Sequence, residues 1–259
     1  MECKICAAQS DHFSIATIFQ HEVGYFRCRQ CGFIQTEEPY WLEEAYTEAI
    51  TSSDIGLISR NIIYAKISQA LIQSFFDPEA SFVDYGGGYG ALVRLMRDAG
   101  FDFYRYDKFC ANLFAKGFEA KPAAPGQYEL VTAFEVFEHL AHPLAEIKQM
   151  LRFSRNILFS TLLVPSPTPR PGEWWYYGLE HGQHLSLYTP QSLTLIAEKF
   201  GLKLYSNGVS LHLLTDKKIV APLFQLISRY KVAILLNALR PKRSLLADDY
   251  FKLTGRPID

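Results

Sequence analysis

No run in this sequence stays apolar long enough to read as a bilayer span. The longest candidate, Ile219 to Leu239, is interrupted by Gln225, Arg229, Tyr230, Lys231 and Asn237, and lipid rarely tolerates an arginine and a lysine near mid-span. The run is expected to be a helix packed on the domain or on a second subunit, so a homodimer is one expectation. An excess of charge is also missing. With 26 basic and 27 acidic residues the formal net charge is −1, which argues against a broadly basic surface and against nucleic acid as the expected partner. Internal repeats and low-complexity segments are absent. The N-terminus carries a cysteine pair where a leader would be basic and then apolar, and a cytoplasmic location is expected. After the first 31 residues only one cysteine remains, Cys110, which reads as a small apolar residue.

What is present suits one large α/β domain with a small appendage, because 259 residues, 49% of them apolar, suffice to bury a core. The organising stretch is Ser81 to Ala91, SFVDYGGGYGA. It reads as a β-strand, a glycine-rich turn and the start of a helix that carries Leu92, Leu95 and Met96 and stops at Gly100. Gly86, Gly88 and Gly90 allow a tight turn and close approach of a ligand. Gly86, Gly88 and Ala91 also satisfy a dinucleotide fingerprint, so the glycines alone leave a nicotinamide or flavin dinucleotide open. Asp84, two residues before Gly86, favours a ligand ammonium over a pyrophosphate at the strand end. The segment resembles motif I of class I S-adenosylmethionine-dependent methyltransferases on Val83, Asp84, Gly86, Gly88 and Gly90.

Four cysteines form Cys3-x2-Cys6 and Cys28-x2-Cys31, separated by 21 residues. Each C-x2-C turn can aim two thiolates at one ion, so the pattern predicts a closed, structural tetrahedral zinc site; disulfide pairing is the alternative. An acidic and aromatic stretch runs from Glu37 to Glu48, and an amphipathic helix is expected from Ile55 to Phe76, with Ile58, Ile62, Ile63 and Ile67 on its apolar side. Tyr40, Trp41 and Tyr46 can line a cofactor cover or simply pack in the core. A second strand ends at Asp107, whose carboxylate can accept both hydroxyls of a ribose. A third strand is expected before Lys121, a fourth over Tyr128–Phe134 and a fifth over Asn156–Val164. Thr189 and Pro190 open a helix that Gly201 ends, and two further strands lie near Leu202–Tyr205 and Val209–Leu214.

Beyond the fourth strand comes Glu135-Val-Phe-Glu138-His139. In a helical turn Glu135, Glu138 and His139 share one face, beside the place where a methyl group would be presented. This E-x-x-E-H run, with His184 in GQHLSLYT, resembles small-RNA 2′-O-methyltransferases and ubiquinone-pathway O-methyltransferases. The resemblance implies that Glu135, Glu138, His139 and His184 hold a divalent ion such as magnesium. Deoxysugar C-methyltransferases offer a second resemblance through the N-terminal zinc knuckles and the Glu138-His139 dipeptide. It implies that His139 is a general base oriented by Glu138. Those enzymes usually carry a sizeable C-terminal domain, which is replaced here by about 45 residues of expected helix. His142 and His181 are spare candidates.

The expected fold is a doubly wound, mostly parallel seven-stranded sheet with an N-terminal zinc module and C-terminal helices. The expected divisions are a zinc-ribbon-like module over 1–36, a helical cover over 37–80, a methyltransferase core over 81–214 and a helical extension over 215–259. The cofactor residues are Asp84, Gly86, Gly88, Gly90, Asp107 and Glu135. The expected activity is methyl transfer from S-adenosylmethionine to a small-molecule acceptor with a hydroxyl or activated carbon, a sugar or sugar nucleotide among them. RNA methylation and a non-catalytic zinc-ribbon interaction protein are the alternatives.

Overall fold

The computed structural model describes residues 1–47, 54–121 and 126–258. The end of the acidic stretch at Glu48 and the run Pro122–Pro125 lie outside the described residues. Ten strands occur among the described residues: β1 (Ser10–Ile18), β2 (His21–Cys28), β3 (Ile34–Thr36), β4 (Ser81–Tyr85), β5 (Asp102–Tyr106), β6 (Leu130–Ala133), β7 (Ile157–Ser160), β8 (Ser186–Leu187), β9 (Lys203–Ser206) and β10 (Leu211–Thr215). One antiparallel sheet has the order β1-β2-β3-β8, and a mixed sheet has the order β5-β4-β6-β7-β10-β9. The mixed sheet thus has six strands where seven were expected. The missing one is the third: among the described residues there, Glu119 makes a single parallel bridge to Arg105.

The chain falls into two compact units. One comprises Met1–Thr51, Glu135–Gln149 and Phe159–Lys217; the other comprises Ser52–Phe134, Met150–Leu158 and Lys218–Asp259.

In the first unit the β1–β2 hairpin carries the cysteines at its base, and β3 pairs on through Ile34 and Gln35 with Leu187 and Ser186 of β8. That fourth strand, about 150 residues further along the sequence, is a two-residue segment with no periodicity of its own to read. Ile18, Val23, Tyr25, Ile34, Trp41, Tyr176, Tyr177 and Leu187 form the core here. Four consecutive aromatics, Trp174, Trp175, Tyr176 and Tyr177, are divided, with Tyr176 and Tyr177 buried and Trp175 exposed. The α-helices of this unit are α1 (Leu42–Ala45), α4 (Pro143–Met150, all but its last residue) and α5 (Pro190–Lys199). The α5 start has a full capping box between Thr189 and Ser192 with Pro190 in the first turn, as its sequence predicts.

In the second unit β4 pairs in parallel with β5 and β6. Buried on both faces, β4 reads as a continuous apolar and aromatic run. Helix α2 (Leu57–Phe75) buries Ala65, Ile67, Ala70, Leu71 and Ile72, but Ile58 and Ile62 are exposed, against the expected stripe. Helix α3 (Ala91–Asp98) follows the glycine turn. Three helices, α6 (Ala221–Ile227), α7 (Tyr230–Leu239) and α8 (Leu246–Thr254), close the unit. Arg97 of α3 donates from Nε and Nη2 to the two oxygens of buried Asp249 on α8, at 2.8 and 2.6 Å, and from Nη1 to Asp102 at 2.6 Å. Both partners are buried and hydrogen-bonded, which removes the penalty of an isolated charge. This pair holds α8 against α3.

Candidate functional site

The glycine turn of the second unit is built by β4 running out at Tyr85 and by Gly90, which takes φ +89° at the helix start. A side chain at Gly90 would also meet Asn112 Oδ1 and Ala115 Cβ at 2.9 and 3.0 Å. Gly87 has a different constraint. A Cβ there would lie 2.7 Å from Asp84 Oδ2, so the middle glycine of the run, which its sequence context does not single out, is needed as much as Gly86, Gly88 and Gly90.

Asp84 is buried at 4% exposure and accepts a hydrogen bond from Thr132 Oγ1 at 2.8 Å. Burial raises its pKa to about 7, against which the Thr132 hydrogen bond pulls down. Thr132 stands in register with Asp84 across the parallel β4–β6 pair, a partnership invisible without the register. The second-strand acid, Asp107, is also nearly buried. Its Oδ1 accepts from the N–H groups of Phe109 and Cys110 at 2.8 and 2.7 Å, and its Oδ2 accepts from the Gly88 N–H at 3.0 Å. Arg105 donates to the carbonyls of Gly88 and Cys110. The structure thus brings Asp84, Gly86, Gly88, Gly90 and Asp107 together, with Arg105 and Thr132 as supports that sequence reasoning missed. A carboxylate oxygen has two acceptor positions, so Asp107 Oδ2 keeps capacity beyond the Gly88 contact.

In the first unit the four cysteines converge. Their Sγ atoms lie 3.7 Å apart for Cys3–Cys31, 3.4 Å for Cys6–Cys28 and 3.7 Å for Cys6–Cys31. A tetrahedral zinc with Zn–S near 2.3 Å spaces its sulfurs by about 3.8 Å. The N–H groups of Ile5 and Cys31 point at Cys3 Sγ and Cys28 Sγ, each at 3.4 Å, which stabilises thiolate charge. The cluster is compatible with a structural zinc ion.

The same unit holds Glu135, Glu138, His139 and His184, though not in the expected helical turn. Glu135 sits at φ +53° and only Phe137–His139 form a short 3-10 turn, so the i, i+3, i+4 face does not exist. The turn is fixed from the β8 segment instead. Leu185 N–H donates to Glu138 O at 2.8 Å, Ser186 Oγ to Leu140 O at 2.7 Å and Tyr188 Oη to Phe137 O at 2.9 Å. Ligand atoms of Glu138, His139 and His184 all lie within 4.8 Å of one another, and Glu135 is outside this group. Glu135 instead accepts from Ser160 Oγ at 2.7 Å.

Glu138 is fully buried, and neither of its carboxylate oxygens has a hydrogen-bond partner. Burial, then the nearby Glu135 charge, raises its pKa to about 8; Tyr176 and Thr161 pull the other way without reaching hydrogen-bond geometry. His184 Nδ1 meets the Tyr176 carbonyl at 2.6 Å. A carbonyl can only accept, so Nδ1 carries the proton and Nε2 keeps its lone pair. Burial lowers the His184 pKa to about 4, and burial with His184 and His181 alongside holds His139 well below its ordinary value. Both shifts favour the neutral ring. His139 Nδ1 is 3.1 Å from Tyr46 Oη. Tyr46, Tyr176 and His181 thus stand around the cluster; the sequence offered Tyr46 as a cover or core aromatic and His181 as a spare candidate. The donor set of one carboxylate and two neutral imidazoles, with an orphaned buried carboxylate at its centre, fits a divalent cation.

A methyltransferase-domain family model matches residues 60–207, more than half of the chain. Among solved structures, TnmH is 19% identical over 69% of this chain and 62% of its own length, with a TM-score of 0.45. The plantazolicin methyltransferase BpumL, solved with SAH, is 14% identical over 70% of this chain and 95% of its own, with a TM-score of 0.45. Magnesium protoporphyrin IX methyltransferase from Synechocystis PCC 6803, also with SAH, is 14% identical over 67% and 92%, with a TM-score of 0.43. The chain therefore spans under two thirds of the length of TnmH. Comparison with curated proteins finds no match. The family match carries the assignment: the chain belongs to the methyltransferase-domain family.

Proposed function

We propose that the protein methylates a small-molecule acceptor through a hydroxyl or activated carbon, sugars and sugar nucleotides being the class its sequence resemblance suggests. In this reading Asp84, Gly86, Gly88, Gly90 and Asp107 hold S-adenosylmethionine. Cys3, Cys6, Cys28 and Cys31 hold a structural zinc. Glu138, His139 and His184 hold a divalent ion that lowers the pKa of the acceptor oxygen. The observation that carries the last point is the buried Glu138 carboxylate without a partner, since a buried charge persists only when a cation or hydrogen bonds compensate it.

The pKa of His139 favours a ligand role over a base role. A general base works best when its pKa lies near the working pH, and His139 is held well below that of a free imidazole. A neutral imidazole with an available lone pair remains a good metal ligand. The mixed nitrogen and oxygen donors suit manganese, iron or zinc better than magnesium, which prefers oxygen alone. His184 contributes orientation through its Tyr176 carbonyl contact, of the kind that tunes ligand basicity.

The test is calorimetric titration of manganese into zinc-loaded protein. Wild type should bind one further ion, and Glu138→Gln and His184→Ala should each weaken it at least about tenfold. Once an acceptor is found, chelation should abolish turnover. Wild type that takes up no second ion, or turnover indifferent to chelator but lost in His139→Ala, would replace the metal with a histidine base.

A further inference from the structure

The C-terminal part of the second unit has a surface that the methyl-transfer chemistry does not use. Helix α7 exposes Lys231, Ile234, Leu235, Ala238 and Leu239, positions that follow one another at helical spacing and so form one face. Leu235 is 61% and Leu239 70% exposed. Its opposite side is spoken for: Ala233 is fully buried, and Asn237 donates from Nδ2 to the Lys66 carbonyl of α2 at 2.8 Å. The neighbouring α6 likewise buries Phe224 and Ile227 while exposing Leu223 and Leu226. The outward apolar face is thus held in place by the inward one.

Charge along this segment is one-sided in sequence, although Lys242 pairs with Glu79 and Arg243 with Asp248. Residues 218–243 contain six basic residues and no acidic one. With six of the 26 cations placed here, the rest of the chain carries 20 basic against 27 acidic residues, a net charge of −7. Arg229 and Lys231 stand at the N-terminal end of the α7 face, and Arg240, Lys242 and Arg243 follow its C-terminal end. Beside α7 a cavity of about 340 Å³ is lined by Lys66, Arg240 and Lys242 together with the amides of Gln69, Gln73 and Asn237. No acidic side chain is among its described lining residues. Lys242 Nζ is shared with Glu79 at 2.5 Å, and Arg240 donates to the Gln73 carbonyl at 3.3 Å.

We propose that α6 and α7 form a monotopic docking surface for an anionic phospholipid bilayer, with the leucine face entering the headgroup boundary and the α7-side cavity taking a lipid phosphate. An apolar helical face bounded by cations is what an interfacial helix needs. Anionic lipid supplies the complementary charge, at about 1 kcal/mol per basic residue near the surface. A second copy of this chain fits worse, because a two-fold contact sets the same patch against itself and so sets its cations against cations. No helix among the described residues is long and apolar enough to cross a membrane, so attachment here is to the surface of the bilayer.

The experiment is co-sedimentation of the full chain with vesicles of phosphatidylcholine alone and of equimolar phosphatidylcholine and phosphatidylglycerol. Protein should pellet with the anionic vesicles only and be released by added salt. The pair Leu235→Asp and Leu239→Asp should weaken binding at least tenfold. The pair Arg229→Ala and Lys231→Ala, which leaves the apolar face intact, should weaken it by about 25-fold at low salt. Thermal melts and SAH affinity should be unchanged in both, establishing that the variants fold. Absence of sedimentation with anionic vesicles, equal binding to phosphatidylcholine, or indifference to both pairs of substitutions overturns the proposal. So does light scattering that shows a wild-type dimer converted to monomer by the leucine pair, which would make the face an interface between copies.

Discussion

The N–H of Gly88 donates to Asp107 Oδ2 at 3.0 Å, tying the glycine turn after β4 to the acid at the end of β5. One carboxylate therefore supports the turn, and in the proposed reading its remaining acceptor position is the one that takes a ribose hydroxyl. Asp107→Ala should weaken SAH binding by about 1.5–3 kcal/mol, the range for losing a charged hydrogen-bond partner. Isothermal titration decides it, and unchanged affinity would remove Asp107 from the cofactor site.

Gly87 makes a sharper demand. Its φ does not require glycine, but a methyl group there would press on Asp84 Oδ2 at 2.7 Å and on the Asp84 carbonyl at 3.1 Å. Gly87→Ala should thus lower stability by about 1–3 kcal/mol and reduce SAH affinity at the same time. Urea titration against wild type checks the loss of stability, and an unchanged midpoint in Gly87→Ala would show that Asp84 gives way to the added methyl group.

The cysteine cluster predicts about one zinc per chain in protein purified without chelator. Cys28→Ser should lose it and with it the folding free energy that a structural zinc supplies, a large share of the stability of a small β-sheet module. Elemental analysis and the thermal melt report the two effects separately. Wild-type protein free of zinc, with thiols oxidised in pairs, would overturn the assignment.

Glu138 sets a pH dependence whose sign can be stated. Its folded pKa is raised from 4.5 to about 8, so between these values the folded state binds more proton than the unfolded one. Stability then falls as pH rises through that window. His184, lowered from 6.5 to about 4, acts oppositely, and stability falls as pH drops below 6.5. In protein free of divalent ion at the Glu138 site, Glu138→Gln should flatten the decline above pH 6.5 and leave the acid limb. Melting temperatures across pH 5 to 9 test this, and a decline above pH 6.5 that is as steep in the variant as in wild type would show that Glu138 is not its source.

Much of this molecule is readable without coordinates. Ser81–Ala91 declares a strand, a turn and a helix because each residue type there satisfies a local rule, and the Cys3-x2-Cys6 and Cys28-x2-Cys31 spacing declares its knuckles for the same reason. Thr189 and Pro190 announce α5 through capping chemistry that spans four residues. Only tertiary structure decides what depends on register and on distant partners. Thr132 reaches Asp84 because β4 and β6 pair in one register. Segment 118–120 stops at a single bridge, leaving six strands. The run from Glu135 to His139 promises a helical face in sequence, but the β8 segment pulls Phe137, Glu138 and Leu140 into a 3-10 turn through three hydrogen bonds from residues 185–188. In that turn Glu138 is buried without a hydrogen-bond partner and stands with His139 and His184, while Glu135 lies outside the group. Local propensities are written residue by residue, whereas burial and pairing depend on which segments of the chain meet, and those meetings make the site.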